Sequence, residues 1–150
     1  MTSTQIAATY APQQTTSRPP IRRVVGGSVV GAVAGAAALF GYGAAAIAVH
    51  GPMQVGDPGD TTPITAASFA IGVLFSSFFG IVLAVALARW AKHPARTFQI
   101  TAIALTVVSL WAPFTAHTDD ATRFLLAVGH VVAACVVIPL IVRSLETRLG

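Results

Sequence analysis

Charged side chains are scarce in this sequence and are missing from four long stretches of it. Only 9% of the 150 residues are Asp, Glu, Lys or Arg, and 55% are hydrophobic, whereas a soluble domain usually carries about a quarter charged residues. No charged residue occurs in residues 24–49, 61–88, 97–118 or 124–142. Each interval approaches or exceeds the ~18 apolar residues typical of a membrane-spanning helix. The lack of charge therefore excludes a soluble globular domain and predicts a single polytopic unit in a lipid bilayer.

Cysteine and sequence motifs of enzymes are also lacking. The one cysteine, Cys135, lies at membrane depth, has no second thiol to pair with in the chain, and is expected to act as a small apolar residue. No HExxH, GxSxG or phosphate-binding loop occurs. No carboxylate lies within an apolar stretch, so proton coupling through a membrane carboxylate has no carrier. These absences predict a non-enzymatic protein with no metal and no cofactor.

What is present predicts an all-α fold, a four-helix transmembrane bundle. The expected helices are residues 24–49, 63–89, 95–115 and 119–144, which form a domain over residues 22–150. Residues 1–21 are rich in Thr, Gln and Pro and are expected to be a disordered tail. A signal peptide is the alternative, but its apolar core usually has about 7–15 residues, and the run from Val24 is much longer. We therefore expect a retained anchor.

Caps and prolines set the expected helix ends. Thr62 is a suitable N-cap with Pro63 as the first helical residue, and Pro94 opens the third helix. Either Thr118 or Asp119 is expected to cap the fourth helix. Pro139 removes one backbone hydrogen bond inside that helix, which predicts a kink.

Basic residues are distributed unevenly between the connections. The net charge of +4 comes from Lys and Arg next to the apolar runs, which act as topology signals rather than as a nucleic-acid surface. Eight of the nine basic residues precede the first helix, follow the fourth, or join the second to the third. The two other connections hold four aspartates and Arg123. The positive-inside bias then places both termini in the cytoplasm of a multi-pass cell-membrane protein.

Small residues recur at every fourth position in the first two helices. In membranes such stripes let helix backbones approach closely. We expect the two stripes to pack mainly against each other within the chain, with homodimerisation through one of them as the alternative. Their main members are Gly27, Gly31 and Gly35 in the first helix, and Gly72, Ser76 and Gly80 in the second.

One histidine, His130, stands within the fourth apolar run. Ionisable residues at membrane depth are candidate functional sites, and depth arithmetic at ~1.5 Å per residue places Tyr42 and Ser109 at a similar level, with Ser76 deeper. These four residues are predicted to form a polar layer. It is interpreted as an interhelical hydrogen-bond clamp, with a ligand or proton site as the sharper alternative and metal ligation as the least supported one.

The segment between the first two helices, VGDPGDTTP, contains Asp57 and Asp60 around a Pro-Gly pair. Two carboxylates this close could bind a cation weakly. A solvated turn is the preferred interpretation, because Pro and Gly are typical turn residues.

The fourth run, from Asp120 through Thr122 and Arg123 to His130 and Pro139, resembles the last helix of an actinobacterial family of small four-span membrane proteins of unknown function. The resemblance covers roughly residues 22–143 in layout. It implies a membrane location and four helices, and it implies no activity. Some members carry names from cell-envelope biogenesis.

Two functional hypotheses follow from the sequence. The leading one is a non-enzymatic structural or partner subunit that packs through its Gly/Ala/Ser stripes, in a homodimer or a larger membrane complex. The alternative is a small transporter or proton-sensing channel that uses the polar layer around His130. The lipid bilayer is the expected surrounding in both, and nucleic acid is not an expected partner.

Overall fold

The computed structural model describes residues 18–146, and most of them are helical. Within these residues, four helical segments are long and apolar enough to cross a membrane, and the third of them is Pro94–Thr115. The four predicted spans are thus confirmed. In chain order the elements are α1 (Ile21–His50), β1 (Met53–Asp57), β2 (Asp60–Ile64), α2 (Ala66–Trp90), α3 (Pro94–Ser109), α4 (Trp111–Thr115) and α5 (Asp120–Leu145).

The N-terminal boundary differs slightly from the prediction. Helix α1 begins at Ile21 rather than at Val24, so the last residue assigned to the tail is helical. Pro20 occupies the N-cap position and its carbonyl accepts bonds from the N–H groups of Arg23 and Val24. The predicted disorder of residues 1–17 lies outside the described residues.

A β-hairpin between α1 and α2 corrects the all-α prediction. Strands β1 and β2 pair antiparallel from Met53↔Ile64 to Asp57↔Asp60. The predicted turn lies at their tip, where Pro58 and Gly59 are the central residues and Gly59 has φ +99°, as a Pro-Gly turn requires. The strands themselves were not predicted, since five-residue strands containing Pro63 carry little periodic signal.

Helix α2 starts later than predicted. Thr62 and Pro63 belong to β2, and the N-cap is Thr65. The Thr65 hydroxyl accepts a bond from the Ser68 N–H at 3.3 Å, and the Ser68 hydroxyl accepts one from the Thr65 N–H at 3.1 Å. This reciprocal capping box starts α2 at Thr65. Thr62 and Pro63, which were expected to start the helix, are held in an extended conformation by the hairpin.

The third span is interrupted near its end. Pro94 opens α3 as predicted, but α3 ends at Ser109 and α4 starts at Trp111. The break follows from Pro113, which has no N–H for the Ser109 carbonyl and whose ring crowds that carbonyl. A continuous helix over residues 95–115 is therefore corrected to two helices joined at Leu110.

Helix α5 runs uninterrupted through Pro139 to Leu145. Its N-cap is Asp119, one of the two residues predicted for that role; its carboxylate accepts a bond from the Thr122 N–H at 2.9 Å. The kink at Pro139 stays a prediction.

Two buried clusters hold the helices together, one at each end of the bundle. At the first end, α1, α2, α3 and α5 meet through Val24, Ala84, Ala88, Phe98, Ile141 and Leu145. The basic residues of the described chain other than Arg123 lie at this end and are exposed, namely Arg18, Arg22, Arg23, Arg89, Lys92, Arg96 and Arg143. The Arg23 guanidinium donates to the Arg143 carbonyl at 3.4 Å.

The second cluster lies at the hairpin end and contains Leu39, Ala46, Met53, Phe69 and Val73. Met53 of β1 is 1% exposed, and the partly buried Ile64 of β2 packs against the same cluster, so both strands anchor the hairpin in the helix core. The Phe69 ring fits against α1 only because position 43 is glycine: a Cβ there would lie 2.6 Å from Phe69 Cδ2.

The small-residue stripe of α1 packs on α5 and not on the stripe of α2. A Cβ at Gly27 would lie 2.5 Å from Ser144 Cβ, and one at Gly35 would lie 2.5 Å from Val137 Cγ2. At Gly31 the nearest atom would be Leu140 Cβ at 3.2 Å. The expected pairing of the two stripes is therefore corrected, because four-residue spacing identifies a face but not the helix that it meets.

Candidate functional site

Tyr42 of the predicted polar layer connects α1 to α5. Its hydroxyl donates to the backbone carbonyl of Leu125 at 2.8 Å. Its ring lies edge-on to Phe69, with the ring centroids 5.7 Å apart. The Leu125 carbonyl belongs to the backbone of α5, so this bond connects two helices but does not join members of the predicted layer.

The other three members of the predicted layer bond to their own helices. The Ser76 hydroxyl donates to the Gly72 carbonyl, and the Ser109 hydroxyl donates to the Thr106 carbonyl at 2.7 Å. His130 Nδ1 lies 2.9 Å from the Leu126 carbonyl oxygen. The hydrogen bonds found within residues 18–146 do not join these side chains to one another.

A cavity nevertheless brings Ser76, Ser109 and His130 together. It has a volume of about 660 Å³ and lies among α2, α3 and α5, and we refer to it as the lateral groove. Phe75, Phe79 and Leu105 line its rim and are more than half exposed on the outside of the bundle. The groove therefore opens sideways, toward the surface that the helices present to lipid. Its polar lining consists of Ser76, Ser77, Thr101, Thr106, Ser109 and His130.

Missing side-chain volume on α2 explains why the groove exists. Helices α2 and α3 are tied together at the basic end, where Ala84 and Ala88 pack with Phe98. Away from that contact α2 presents Ser76 and Gly80, and a Cβ at Gly80 would meet only Ile141 Cδ1, at 3.8 Å. Two members of the stripe predicted for helix packing, Ser76 and Gly80, thus form part of the wall of a cavity.

His130 is held in a defined orientation inside the lateral groove. A carbonyl oxygen can only accept a hydrogen bond, so Nδ1 must carry the proton that points at Leu126. No Asp or Glu lines the groove. In a neutral ring whose proton is on Nδ1, Nε2 carries a lone pair.

Ser77 is the groove residue that sequence reasoning left out. It is 4% exposed and it lines the groove. Thr101 and Thr106 were also left out. The available signal was the set of hydroxyl residues on one face of α3, where Ser109 follows Thr106 by three positions.

Polar contacts also connect the loops at the hairpin end. His117 Nδ1 lies 2.5 Å from Asp57 Oδ1, and His50 Nε2 lies 3.4 Å from Asp119 Oδ1. The Thr118 hydroxyl donates to the Gln54 carbonyl at 2.7 Å. The contacts of Asp57 and Gln54 tie the hairpin to the α4–α5 connection, and the contact of His50 ties the end of α1 to it. A shallow depression of about 490 Å³ lies between the hairpin and this connection.

The helix-capping role of Asp119 keeps its carboxylate charged. Hydrogen bonding by Thr122 lowers the pKa of Asp119 from an ordinary 3.8 to about 2, and His50 adds a smaller effect in the same direction. The stabilisation by this carboxylate is therefore complete above pH 3.8 and is lost as the pH falls through about 2. Asp120, the next residue, pairs with Arg123 at 2.7 Å.

Metal-ligating side chains do not converge in the described part of the chain. No three His, Cys, Asp or Glu residues between Arg18 and Glu146 lie close enough together to hold a metal ion. Asp57, one of the two aspartates considered for weak cation binding, is instead paired with His117. Cys135 is exposed on the surface of α5.

Residues 17–147 match a family of unknown function, DUF6069. The chain belongs to this family. No curated protein and no solved structure matches the chain. Membership of DUF6069 agrees with the resemblance to a family of unknown function, and the match spans all four long helices and the hairpin.

Proposed function

We propose that this member of DUF6069 is a non-enzymatic, multi-pass protein of the cell membrane that binds a small apolar molecule in its lateral groove. The observation that carries the proposal is the groove itself, a cavity of about 660 Å³ in which one imidazole and five hydroxyl groups converge. Its volume falls within the range of about 300–1,000 Å³ that is typical of small-molecule sites. A mostly apolar lining with a few convergent polar groups is also typical of such sites.

The absence of enzymatic chemistry is part of this proposal. The hydroxyls of Ser76 and Ser109 donate to backbone carbonyls of their own helices rather than to His130. Neither serine is therefore activated as a nucleophile by the one side chain in the groove that is able to act as a base. Binding without covalent chemistry agrees better with this arrangement.

The orientation that we propose places both termini in the cytoplasm. The exposed Lys and Arg side chains of α1, α5 and the α2–α3 connection lie at one end of the bundle, as the positive-inside bias requires of a cytoplasmic face. The hairpin and its aspartates then face the outside. The sequence resemblance implies an actinobacterial cell membrane, and on the same ground we propose a role in the cell envelope.

A partner subunit is the second candidate function. Dimerisation through the α1 stripe loses support, because Gly27, Gly31 and Gly35 are already packed against α5. The observation that favours a partner is Gly72, which is exposed and would place a Cβ in open space. A partner helix could approach α2 closely at this position, beside the lateral groove.

A matched pair of leucine substitutions separates the two functions. Gly80→Leu places a side chain in the groove, whereas Gly72→Leu places one on the outer face of α2. We expect Gly80→Leu to eliminate the small molecules that co-purify with the full-length protein in mild detergent, measured by extraction and mass spectrometry, and Gly72→Leu to retain them.

The same pair defines the opposite result. If Gly80→Leu retains the same molecules as the wild type, the groove is not their binding site. If Gly72→Leu alone removes a protein that is crosslinked to the wild type in native membranes, the partner-subunit function is supported instead.

A further inference from the structure

The lateral groove excludes charged occupants. None of the residues that line it is Asp, Glu, Lys or Arg. His130 lies ten residues after the start of α5 and fifteen before its end, which is about 15 Å and 22 Å along the helix axis at 1.5 Å per residue. The charged headgroup of a phospholipid stays at the membrane surface and cannot reach this depth without a large desolvation cost. The polar part of the occupant must therefore be uncharged.

The groove also presents a defined hydrogen-bonding pattern. His130 lines the groove and donates through Nδ1 to its own helix, so Nε2 of the neutral ring is the nitrogen left to accept a bond from an occupant. The Ser76, Thr106 and Ser109 hydroxyl protons are engaged by backbone carbonyls at Gly72, Ala102 and Thr106. Their oxygens retain lone pairs and can still accept. Four acceptors therefore line the groove with their own protons already used.

Ser77 adds a further hydroxyl to this polar lining. The residue is 4% exposed and lines the groove. An occupant with a hydroxyl group suits such a lining, since a hydroxyl donates one bond to an acceptor of the groove and accepts another.

We propose that the lateral groove selects an uncharged lipophile that carries a hydroxyl group, and that His130 Nε2 accepts the hydrogen bond from that hydroxyl. The inference rests on the proposed binding function and adds the chemical class of the ligand. Long-chain alcohols, isoprenoid alcohols and hydroquinones belong to this class. The apolar chain of such a molecule contacts Phe79 and Phe98, and it leaves the groove for the lipid between α2 and α3.

Photolabelling of the intact protein in lipid nanodiscs tests this assignment. The probe is a hexadecanol that carries a diazirine near its hydroxyl, and the labelled residues are mapped by mass spectrometry. The competitors are hexadecanol and hexadecyl methyl ether, which have nearly the same shape but differ in the hydroxyl proton. We expect labelling on the facing sides of α2, α3 and α5, and we expect hexadecanol to compete about five-fold more effectively, as one hydrogen bond of ordinary strength implies.

Variants identify the acceptor. His130→Ala should make the alcohol and the ether equal competitors, and His130→Gln should restore part of the preference because its amide oxygen accepts a hydrogen bond. Tyr42→Phe is the matched control: it removes a hydroxyl that bonds to Leu125 on the α1 side of α5, and the preference should stay. If His130→Ala weakens both competitors to the same degree, His130 only shapes the groove and the proposed acceptor role is wrong.

The wild-type protein alone decides between the remaining outcomes. If the groove is labelled but the alcohol and the ether compete equally, selection of a hydroxyl is refuted while groove binding stands. If the label is spread over the outer surfaces of all helices with no excess in the groove, the proposed function fails together with this inference.

Discussion

At the scale of single residues, Gly35 lies where α1 packs against both α2 and α5. A Cβ there would lie 2.5 Å from Val137 Cγ2 of α5 and 3.1 Å from Val73 Cγ1 of α2. Both neighbours are β-branched side chains with few alternative rotamers, so neither has an easy way to withdraw. The close approach of α1 to two partners therefore depends on the absence of one methyl group.

We expect Gly35→Ala to destabilise the fold by about 1–3 kcal/mol, the usual range for overpacking a well-packed core. Gly41→Ala is the control, since nothing lies within 4 Å of the Cβ it would add; it should be neutral or slightly stabilising because alanine is the better helix former. The measurement is the unfolding free energy in detergent micelles for the two variants and the wild type. Equal stability of the two variants would show that α1 does not pack against α5 and α2 as described.

The residues of the candidate site were only partly accessible to sequence reasoning. His130 and Ser109 could be placed at one depth, because helix rise converts sequence separation into distance. Tyr42 could be placed at that depth too, yet it bonds to Leu125 on another side of α5. Rotation of one helix relative to another is set by packing, which depth arithmetic does not contain.

At the scale of elements, the start of α2 depends on which of two threonines acts as its N-cap. Helix α2 offers two threonines for its start, Thr62 and Thr65, and both precede apolar residues. Only Thr65 has a partner that returns the bond, through the Ser68 hydroxyl at 3.1 Å. Thr62 is held opposite Val55 in the hairpin. A long-range pairing thus decides a local boundary, which explains why the sequence pattern favoured the wrong threonine.

Thr65→Ala should lower the stability of α2 by about 1 kcal/mol, the typical cost of losing an N-cap side chain. Thr62→Ala is matched to it in chemistry and in exposure, and it should have a smaller effect. Hydrogen exchange of the first-turn amides, Ala66 to Phe69, reports the difference directly: these amides should exchange faster in Thr65→Ala only. If the amides exchange faster in Thr62→Ala instead, Thr62 and not Thr65 is the N-cap of α2.

The third span illustrates how one proline overrides an apolar pattern. Residues 95–115 are apolar enough to predict one helix, and the segment Pro94–Thr115 does have the length to span a membrane. Pro113 still breaks the backbone ladder at Ser109 and Leu110. Ser109 is the last residue of α3, and it lines the lateral groove.

At the scale of the whole molecule, charge is divided between the two ends of the bundle. The basic cluster surrounds Val24 and Leu145 at one end, and four aspartates with two histidine partners surround the hairpin at the other. The four helices could be counted from the lack of charge in the sequence, because apolar length alone determines a span. The hairpin could not be found in this way, since its stability comes from Met53 in the helix core and from contacts with residues 60 positions away.

The division of charge predicts which end of the bundle faces the cytoplasm. In a Cys135→Ala background, Thr61→Cys places a thiol on the exposed hairpin and Lys92→Cys places one on the exposed α2–α3 connection. A membrane-impermeant maleimide added to intact cells should label only the Thr61→Cys protein, and permeabilisation should make both proteins reactive. Because the two positions lie at opposite ends of α2, labelling of both in intact cells would contradict a membrane-spanning α2. Labelling of the Lys92→Cys protein alone would keep the four spans and reverse the orientation, so that the hairpin and its Asp–His contacts would face the cytoplasm.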